Sequence, residues 1–553
     1  MRNSVNQDRI YKILFFALPV LYLLLYGFHG FCDTDQGFIP GMAYRITLGE
    51  MPVRDFIYVR PPLSPFLHTL ELWLLPDRLE MLGSRFLFFV FVWLSVRLSL
   101  ASLARFLDFG KLGVSPWVIG GLAFVMAVHN YPPMPWHTLD GILMAALGIY
   151  LATRGPQWYY TIFGLSLMGL AALAKQPYGV VPLAGVGLLF ILYPWKSALV
   201  GTLGALGVGV GLLIVLEFMD PNANFIEGLL AQATGATSFN DLRYGAYQLY
   251  VRPVVAMFGT IWLVWLFLRY GLRSQTRPEG HPRAREAVVA MIWLSFMLMF
   301  AVHVVWCLAT RTFIPPRMGF YHTLLFTGGW FAFVALWRKR DRKAMAVLLV
   351  MALVNWASGI SWGFSIPVLY AFPGLFGIVY YISFTLQIQV PRWYYPTLWA
   401  VALVTFFVLY QYPYRDAPRA ELNYHLGDVF PKLTYVYSNQ DNYDKHADFK
   451  ALHARLGDNF TVLPAMPLAN YLTDTKPVIQ IDWAHDGEIN YEYGFRRIMA
   501  RMEERRPYVL VEKEKKGEAY GEIRQYRCSL LKEVLENWQM VEETRFFEVY
   551  RQP

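Results

Sequence analysis

The segment Phe31-Cys-Asp-Thr-Asp-Gln-Gly-Phe38 places two acids, Asp33 and Asp35, directly after an apolar run long enough to cross a bilayer. The acidic character continues in Gly49-Glu-Met-Pro-Val-Arg-Asp-Phe56. Carboxylates at a membrane surface facing away from the cytoplasm exceed what solubility asks for, and they suggest chemistry where a lipid head group would sit. Other polar residues fall at the expected outer ends of later apolar runs. They are Arg54, Asp55, Tyr58 and Arg60 in the first loop; His129, Asn130, His137 and Asp140 around the second; and Lys175-Gln-Pro-Tyr178 at the third. Glu217 and Asp220, then Arg311, Arg317 and His322, then Asn355, Ser358, Ser361 and Trp362 follow. Ionisable groups near membrane depth are expensive and usually mark a pathway or a site. A head-group layer also tolerates such residues singly, so their weight lies in convergence on one face.

The elements that must position them are membrane helices. The chain has 553 residues, 56% of them apolar and only 16% charged, a balance that soluble domains rarely show. Runs of bilayer length predict about thirteen spans, near 10–29, 83–104, 112–129, 138–153, 158–175, 177–195, 197–218, 251–270, 286–308, 320–337, 344–361, 366–386 and 394–411. The first lacks an A-x-A-like cleavage site and is read as a retained helix. Arg2, Arg9 and Lys12 ahead of it put the N-terminus in the cytoplasm, and the clusters Arg269–Arg285 and Arg338–Lys343 then also fall inside. The net charge of +9 is accordingly topology and lipid contact, and nucleic acid is excluded as a partner because the basic residues are scattered over short loops.

An odd span count leaves the C-terminus outside. From about residue 413 the apolar runs shrink to strand length, at Phe460-Thr-Val-Leu463, Tyr508-Val-Leu-Val511 and Arg545-Phe-Phe-Glu-Val-Tyr550, with an amphipathic helix at 530–538. The expected fold is thus a polytopic α-helical membrane domain over 1–412, with its first outer loop at about 30–82, followed by an extracytoplasmic α/β domain over 413–553. Gly204, Gly207, Gly209 and Gly211 sit inside an apolar span and are read as helix-packing positions, not as a phosphate loop. Asn459-Phe-Thr461 fits a glycosylation sequon by chance frequency alone. Three cysteines give no disulfide framework.

Asp33-Thr-Asp35 has the D-x-D form found in nucleotide-sugar transferases, but an outer location argues for a lipid-linked donor. Together with Asp35-Gln-Gly37, Ala43-Tyr-Arg-Ile46, Gly49-Glu-Met-Pro-Val-Arg-Asp-Phe56, Pro61-Pro62, Gly83-Ser-Arg85 and Leu173-Ala-Lys-Gln-Pro-Tyr-Gly179, the chain resembles the GT-C fold glycosyltransferases, in the branch of RgtA-like, aminoarabinose and protein mannosyl transferases. The resemblance covers the first seven spans well and the rest loosely. Gln36 stands where those enzymes commonly carry a second acid.

The resemblance implies transfer of a sugar from a polyprenyl-phosphate donor to a glycan, lipid or protein acceptor, at the outer face of a bacterial cytoplasmic membrane. Asp35, with Asp33 as its competitor, would be the general base on the acceptor hydroxyl. Lys175, Arg60 and Arg317 are the candidates for the donor phosphate, and Asp55, Tyr58, His137, Asp140, Gln176 and His322 for the remaining substrate contacts. No cofactor or metal site is assigned, and a divalent ion stays open. Two other readings remain: a surface-glycan polymerase or ligase, which normally uses a large mid-chain outer loop, and a lipid-linked sugar transporter or flippase, which predicts inverted repeats.

Overall fold

The computed structural model describes residues 2–58, 60–128, 133–219, 342–360, 369–381, 410–489, 491–522 and 526–553, most of 301–311, and scattered positions between 298 and 408. The membrane part begins with α1 (Arg2–Tyr26) and α4 (Asp77–Leu103), followed by α5 (Pro116–Val128), α6 (His137–Ala152), α7 (Trp158–Ala174), α8 (Val180–Leu192) and α9 (Trp195–Met219). Further along are α10 (Arg342–Ile360) and α11 (Phe372–Tyr381). Among the described residues three helices are long and apolar enough to cross a membrane: Asp8–Tyr26, Asp77–Leu103 and Trp195–Val215. The expected spans at 251–270 and 320–337 lie outside the described residues, as do most of 286–308 and half of 394–411.

Several boundaries differ from the hydropathy reading for local reasons. The second span starts at Asp77, not 83, because Pro76 ends the extended chain and Asp77 and Glu80 place negative charge at the positive helix end. The expected span 177–195 is shortened by a 3-10 turn at Gln176–Gly179, opened by Pro177, before α8 starts. Helices α6 and α7 cross closely through glycines: a Cβ on Gly148 would lie 2.6 Å from the Gly164 carbonyl, and one on Gly164 2.6 Å from the Ala152 nitrogen. The glycines of α9 are partly in contact among the described residues. Gly204 faces Ile162, but Gly207, Gly209 and Gly211 meet no described atom within 4 Å.

The first outer loop is itself folded. Helix α2 (Phe38–Thr47) and helix α3 (Leu63–Leu74) lie between α1 and α4. Beyond residue 419 come the pair β1 (Tyr424–His425) and β2 (Tyr437–Ser438), helix α12 (Gln440–Leu456), β3 (Phe460–Leu463) and α13 (Ala469–Thr473). They are followed by α14 (Tyr491–Arg505), β4 (Tyr508–Glu512), α15 (Ser529–Asn537), β5 (Gln539–Glu543) and β6 (Phe547–Arg551). The main sheet has the order β3-β4-β6-β5, with β3 and β4 parallel and the other pairs antiparallel. All four residues of β3 are buried, as expected for a short apolar strand covered on both faces. Asn459, the sequon asparagine, donates its amide to the Arg505 carbonyl at 2.9 Å and so ties the end of α14 to β3.

This C-terminal region is docked tightly on α2. Gly37 and Gly41 allow it: a Cβ on Gly41 would lie 2.4 Å from the Pro467 carbonyl, and one on Gly37 2.7 Å from Leu468. Arg45, fully buried, makes a bidentate pair with Asp482 at 2.6 and 2.7 Å, a bond to Glu50 at 2.8 Å and one to the Ile479 carbonyl at 2.7 Å. Val53 has a positive φ of 74°, unusual for a β-branched residue, and Arg497 of α14 donates to its carbonyl and to that of Arg54.

Candidate functional site

The turn at Asp33–Gly37 is built around Arg85 of α4. Its guanidinium donates to the carbonyls of Gly27 (2.6 Å) and Gly30 (2.7 Å) and to Gln36 Oε1 (3.1 Å), which also accepts from the Cys32 nitrogen at 3.2 Å. Gln36 is therefore a hinge-pin of the loop, and Gly83-Ser-Arg85 earns its place beside Asp35-Gln-Gly37 through this contact.

The two loop acids face different partners. Asp33 is buried and paired with Lys445 of α12 at 2.7 Å; Lys445 also reaches Glu512 at 3.1 Å, and Glu512 in turn holds Lys515 at 2.7 Å. Burial opposes the Asp33 carboxylate, but the charges of Lys445, Lys515 and His446 outweigh it and hold the acid well below the usual carboxylate range. Asp35 Oδ2 accepts from the Tyr414 hydroxyl at 2.7 Å and pairs with Arg415 at 2.8 Å. Burial and then the Asp35 carboxylate push the Tyr414 phenol well above its ordinary value, so it remains a donor. Arg415 has a φ of 51° and a side chain 55% exposed, which leaves it, of the two described partners of Asp35, the one able to swing into solvent. Burial and the neighbouring Asp35 and Asp33 push the Cys32 thiol up to about 11, so it is no nucleophile. Cys32, Cys307 and Cys528 are buried and none forms a disulfide.

A second cluster gathers Tyr58, Arg60, His137, Asp140 and Lys175. Phe38, at the start of α2, stacks on Tyr58 (5.9 Å), touches Trp136 (6.2 Å), and lies under the Arg60 guanidinium (4.7 Å). Arg60 forms a fork-on-fork pair with Glu488 at 2.6 and 2.7 Å. Lys175, capping α7, is buried and donates to Thr138 Oγ1 at 2.8 Å. Lys175 and Arg60 lie near enough to act electrostatically on each other and on His137.

Behind these residues lies a buried polar chain. His68 of α3 contacts Glu71 through Nδ1 and Asp140 Oδ1 through Nε2 at 3.2 Å, and the Ser84 hydroxyl donates to the other oxygen of Glu71. Burial of the His68 ring opposes its charge, but Glu71 and Asp140 outweigh it and raise the imidazole to about 10. The sign of the resulting pH effect is fixed. The raised value makes the contribution of His68 complete below its ordinary 6.5 and progressively lost as pH rises through about 10. The melting-temperature gap between wild type and His68→Gln should accordingly be widest at pH 6 and shrink by pH 10; a constant gap would show that the ring is neutral. Three atoms of the cluster, Tyr58 Oη, His137 Nδ1 and Asp140 Oδ2, are buried with no hydrogen-bond partner among the described residues. Each such group costs about 1–3 kcal/mol if it stays unsatisfied.

The remaining sequence candidates fall elsewhere. Asp55 pairs with Arg54 at 2.5 Å and accepts from the Met51 nitrogen at 2.8 Å, which makes it part of the turn of the first outer loop. Gln176 opens the 3-10 turn after Lys175. Arg317 and His322 lie outside the described residues, as do His129 and Asn130. Among the described residues no group of three His, Cys, Asp or Glu side chains is arranged to hold a metal ion. Sequence reading passed over His68 and Glu71. Their signal was an ionisable pair three residues apart on an apolar stretch beside a span. Tyr414, Arg415, Lys445 and Glu488 carried no local signal at all.

No protein-family model and no curated protein matches the chain. Among solved structures it is similar to the archaeal oligosaccharyltransferase AglB from Archaeoglobus fulgidus, in complex with an inhibitory peptide and a dolichol-phosphate. The identity is 11% over 97% of this chain and 74% of that one, with a TM-score of 0.42. A second similar structure is the Archaeoglobus fulgidus oligosaccharyltransferase in complex with Zn and sulfate, at 12% identity over 94% and 69% of the two chains and a TM-score of 0.43. At that level the likeness assigns neither an activity nor a residue to this chain.

Proposed function

We propose that the chain is an integral-membrane glycosyltransferase of GT-C type that moves a sugar from a polyprenyl-phosphate donor to a glycan, lipid or protein acceptor at the extracytoplasmic face of a bacterial cytoplasmic membrane. The carrying observation is that two cations border one polar cluster, Lys175 donating to Thr138 beside His137 and Arg60 lying over Phe38, which contacts Trp136, at the loop that also bears Asp35. A buried ammonium and a partly buried guanidinium at one cluster suit a phosphate, whose oxygens accept from a guanidinium fork and an ammonium at once. Asp35 takes the proton of the acceptor hydroxyl. The acceptor oxygen then bonds to the anomeric carbon from the face opposite the phosphate. The carbon–oxygen bond to the lipid breaks, and its electron pair leaves on the phosphate, where Lys175 and Arg60 stabilise the charge. Before the proton can move, Arg415 must release Asp35, and before the phosphate binds, Arg60 must exchange Glu488 for it.

The test is transfer of label from polyprenyl-phosphate sugars to endogenous acceptors, in vesicles with and without the full chain. New covalent label in an acceptor that requires the protein supports the reading and identifies the acceptor class. Label that crosses the bilayer with no new bond makes the protein a transporter and ends the proposal. Lys175→Gln is expected to raise the donor KM about tenfold, the value of one charge-assisted hydrogen bond.

A further inference from the structure

Tyr58 Oη, His137 Nδ1 and Asp140 Oδ2 belong to side chains that are 1%, 2% and 0% exposed, and none has a hydrogen-bond partner among the described residues. They come from separate places in the chain yet meet. His137 and Asp140 occupy one face of α6, three residues apart. Tyr58 is near enough to Asp140 for the two to interact electrostatically, and its ring is stacked on Phe38, which touches Trp136 next to His137. Buried polar groups are almost always bonded, so a convergent unbonded set implies a polar ligand.

The chemistry of the set narrows that ligand. A carboxylate oxygen accepts only, a phenol donates or accepts, and an imidazole nitrogen does either according to its tautomer. Neighbouring ring hydroxyls, each both donor and acceptor, satisfy all three; a second anion would be repelled by Asp140. Lys175 donates to Thr138, next to His137, and Arg60 lies over Phe38, the ring stacked on Tyr58, so an anion held by the two cations would bring what it carries close to the three free atoms.

We propose that Tyr58, His137 and Asp140 form a subsite for the ring hydroxyls of a sugar, held apart from the phosphate position at Lys175 and Arg60, and that the Ser84–Glu71–His68 chain keeps one oxygen of Asp140 free for it. This rests on the glycosyltransferase reading. His68 is a positioning residue. By engaging Asp140 Oδ1 it fixes the carboxylate rotation that leaves Oδ2 facing inward.

The experiment is equilibrium binding to the full chain in lipid nanodiscs with two probes, polyprenyl phosphate without a sugar and radiolabelled polyprenyl-phosphate sugars extracted from cells fed labelled monosaccharides. Tyr58→Phe and Asp140→Asn are expected to weaken the sugar-bearing probe on the order of 10- to 100-fold and the bare probe less than about twofold. Tyr58→Phe removes one oxygen and keeps the stacked ring, so it stays interpretable if Asp140→Asn unfolds. His68→Gln, which can still donate to Asp140, should retain more discrimination between the probes than His68→Ala; equal loss in both would reduce His68 to a packing role. Equal weakening of both probes by Tyr58→Phe, or none, overturns the subsite and leaves the transferase reading standing, as when a buried water occupies the three atoms. Failure of the wild type to bind either lipid overturns both.

Discussion

Asp35→Asn is expected to lower sugar transfer about 10²–10⁴-fold, the range for losing a positioned general base, while leaving the melting temperature near that of the wild type. The contrast that gives this result meaning is Asp33→Asn, two residues away. Asp35 is buried, but its ionic partner Arg415 is 55% exposed and can turn to solvent once the carboxylate is neutral, so an amide in its place leaves no buried charge unpaired and should cost about 1 kcal/mol. Asp33 is buried against Lys445, whose other acid among the described residues is Glu512, itself shared with Lys515. Removing its charge leaves an excess of buried positive charge and should loosen α12 from the first loop, a cost on the order of 3–5 kcal/mol. The predicted pattern is a kinetic defect in one variant and a stability defect in the other, read by transfer assay and thermal melting on the same preparations. If Asp33→Asn is stable and inactive while Asp35→Asn is active, the two roles must be exchanged.

Arg45→Ala is expected to be the most destabilising single change at the interface between the C-terminal region and the first loop, also on the order of 3–5 kcal/mol. Its guanidinium satisfies Asp482 on two bonds, Glu50 on one and the Ile479 carbonyl on another, and all of these lie in a nearly dry contact. Truncation leaves two carboxylates buried without their counter-charge. Lysine is no substitute, because one ammonium cannot reproduce a planar fork meeting Asp482 and Glu50 together. Arg545→Ala supplies the comparison. Arg545 pairs with Asp441 and Asp444 but is 62% exposed, so the loss should stay within about 1 kcal/mol. Limited proteolysis of the C-terminal region checks the mechanism: Arg45→Ala should speed its cleavage, whereas Arg545→Ala should not. Equal protease resistance in wild type and Arg45→Ala would mean that docking rests on the apolar contacts at Gly37 and Gly41 instead.

Much of this protein is written in local pattern. The apolar runs place α6, α7 and α9 within a few residues, because burial in lipid or in a helical core demands continuous hydrophobicity over a fixed length. Phe460–Leu463 and Tyr508–Glu512 are strands where short β-branched and aromatic runs meet turn residues. Asp35-Gln-Gly37 identified the chemically charged loop, and Lys175, Arg60, Tyr58, His137 and Asp140 were legible as ionisable or polar groups beside apolar helices. What the sequence could not contain is which group pairs with which. Tyr414 meets Asp35 across 379 residues and Arg45 meets Asp482 across 437, and no periodicity links such positions. The same holds for Asp33 and Asp35, alike in type, both buried and two residues apart, which the fold separates into an acid clamped by a buried lysine and one paired with an exposed arginine. Hydrophobic pattern is a property of one segment and survives in sequence; charge pairing depends on the docking of two surfaces, and only the tertiary structure sets it.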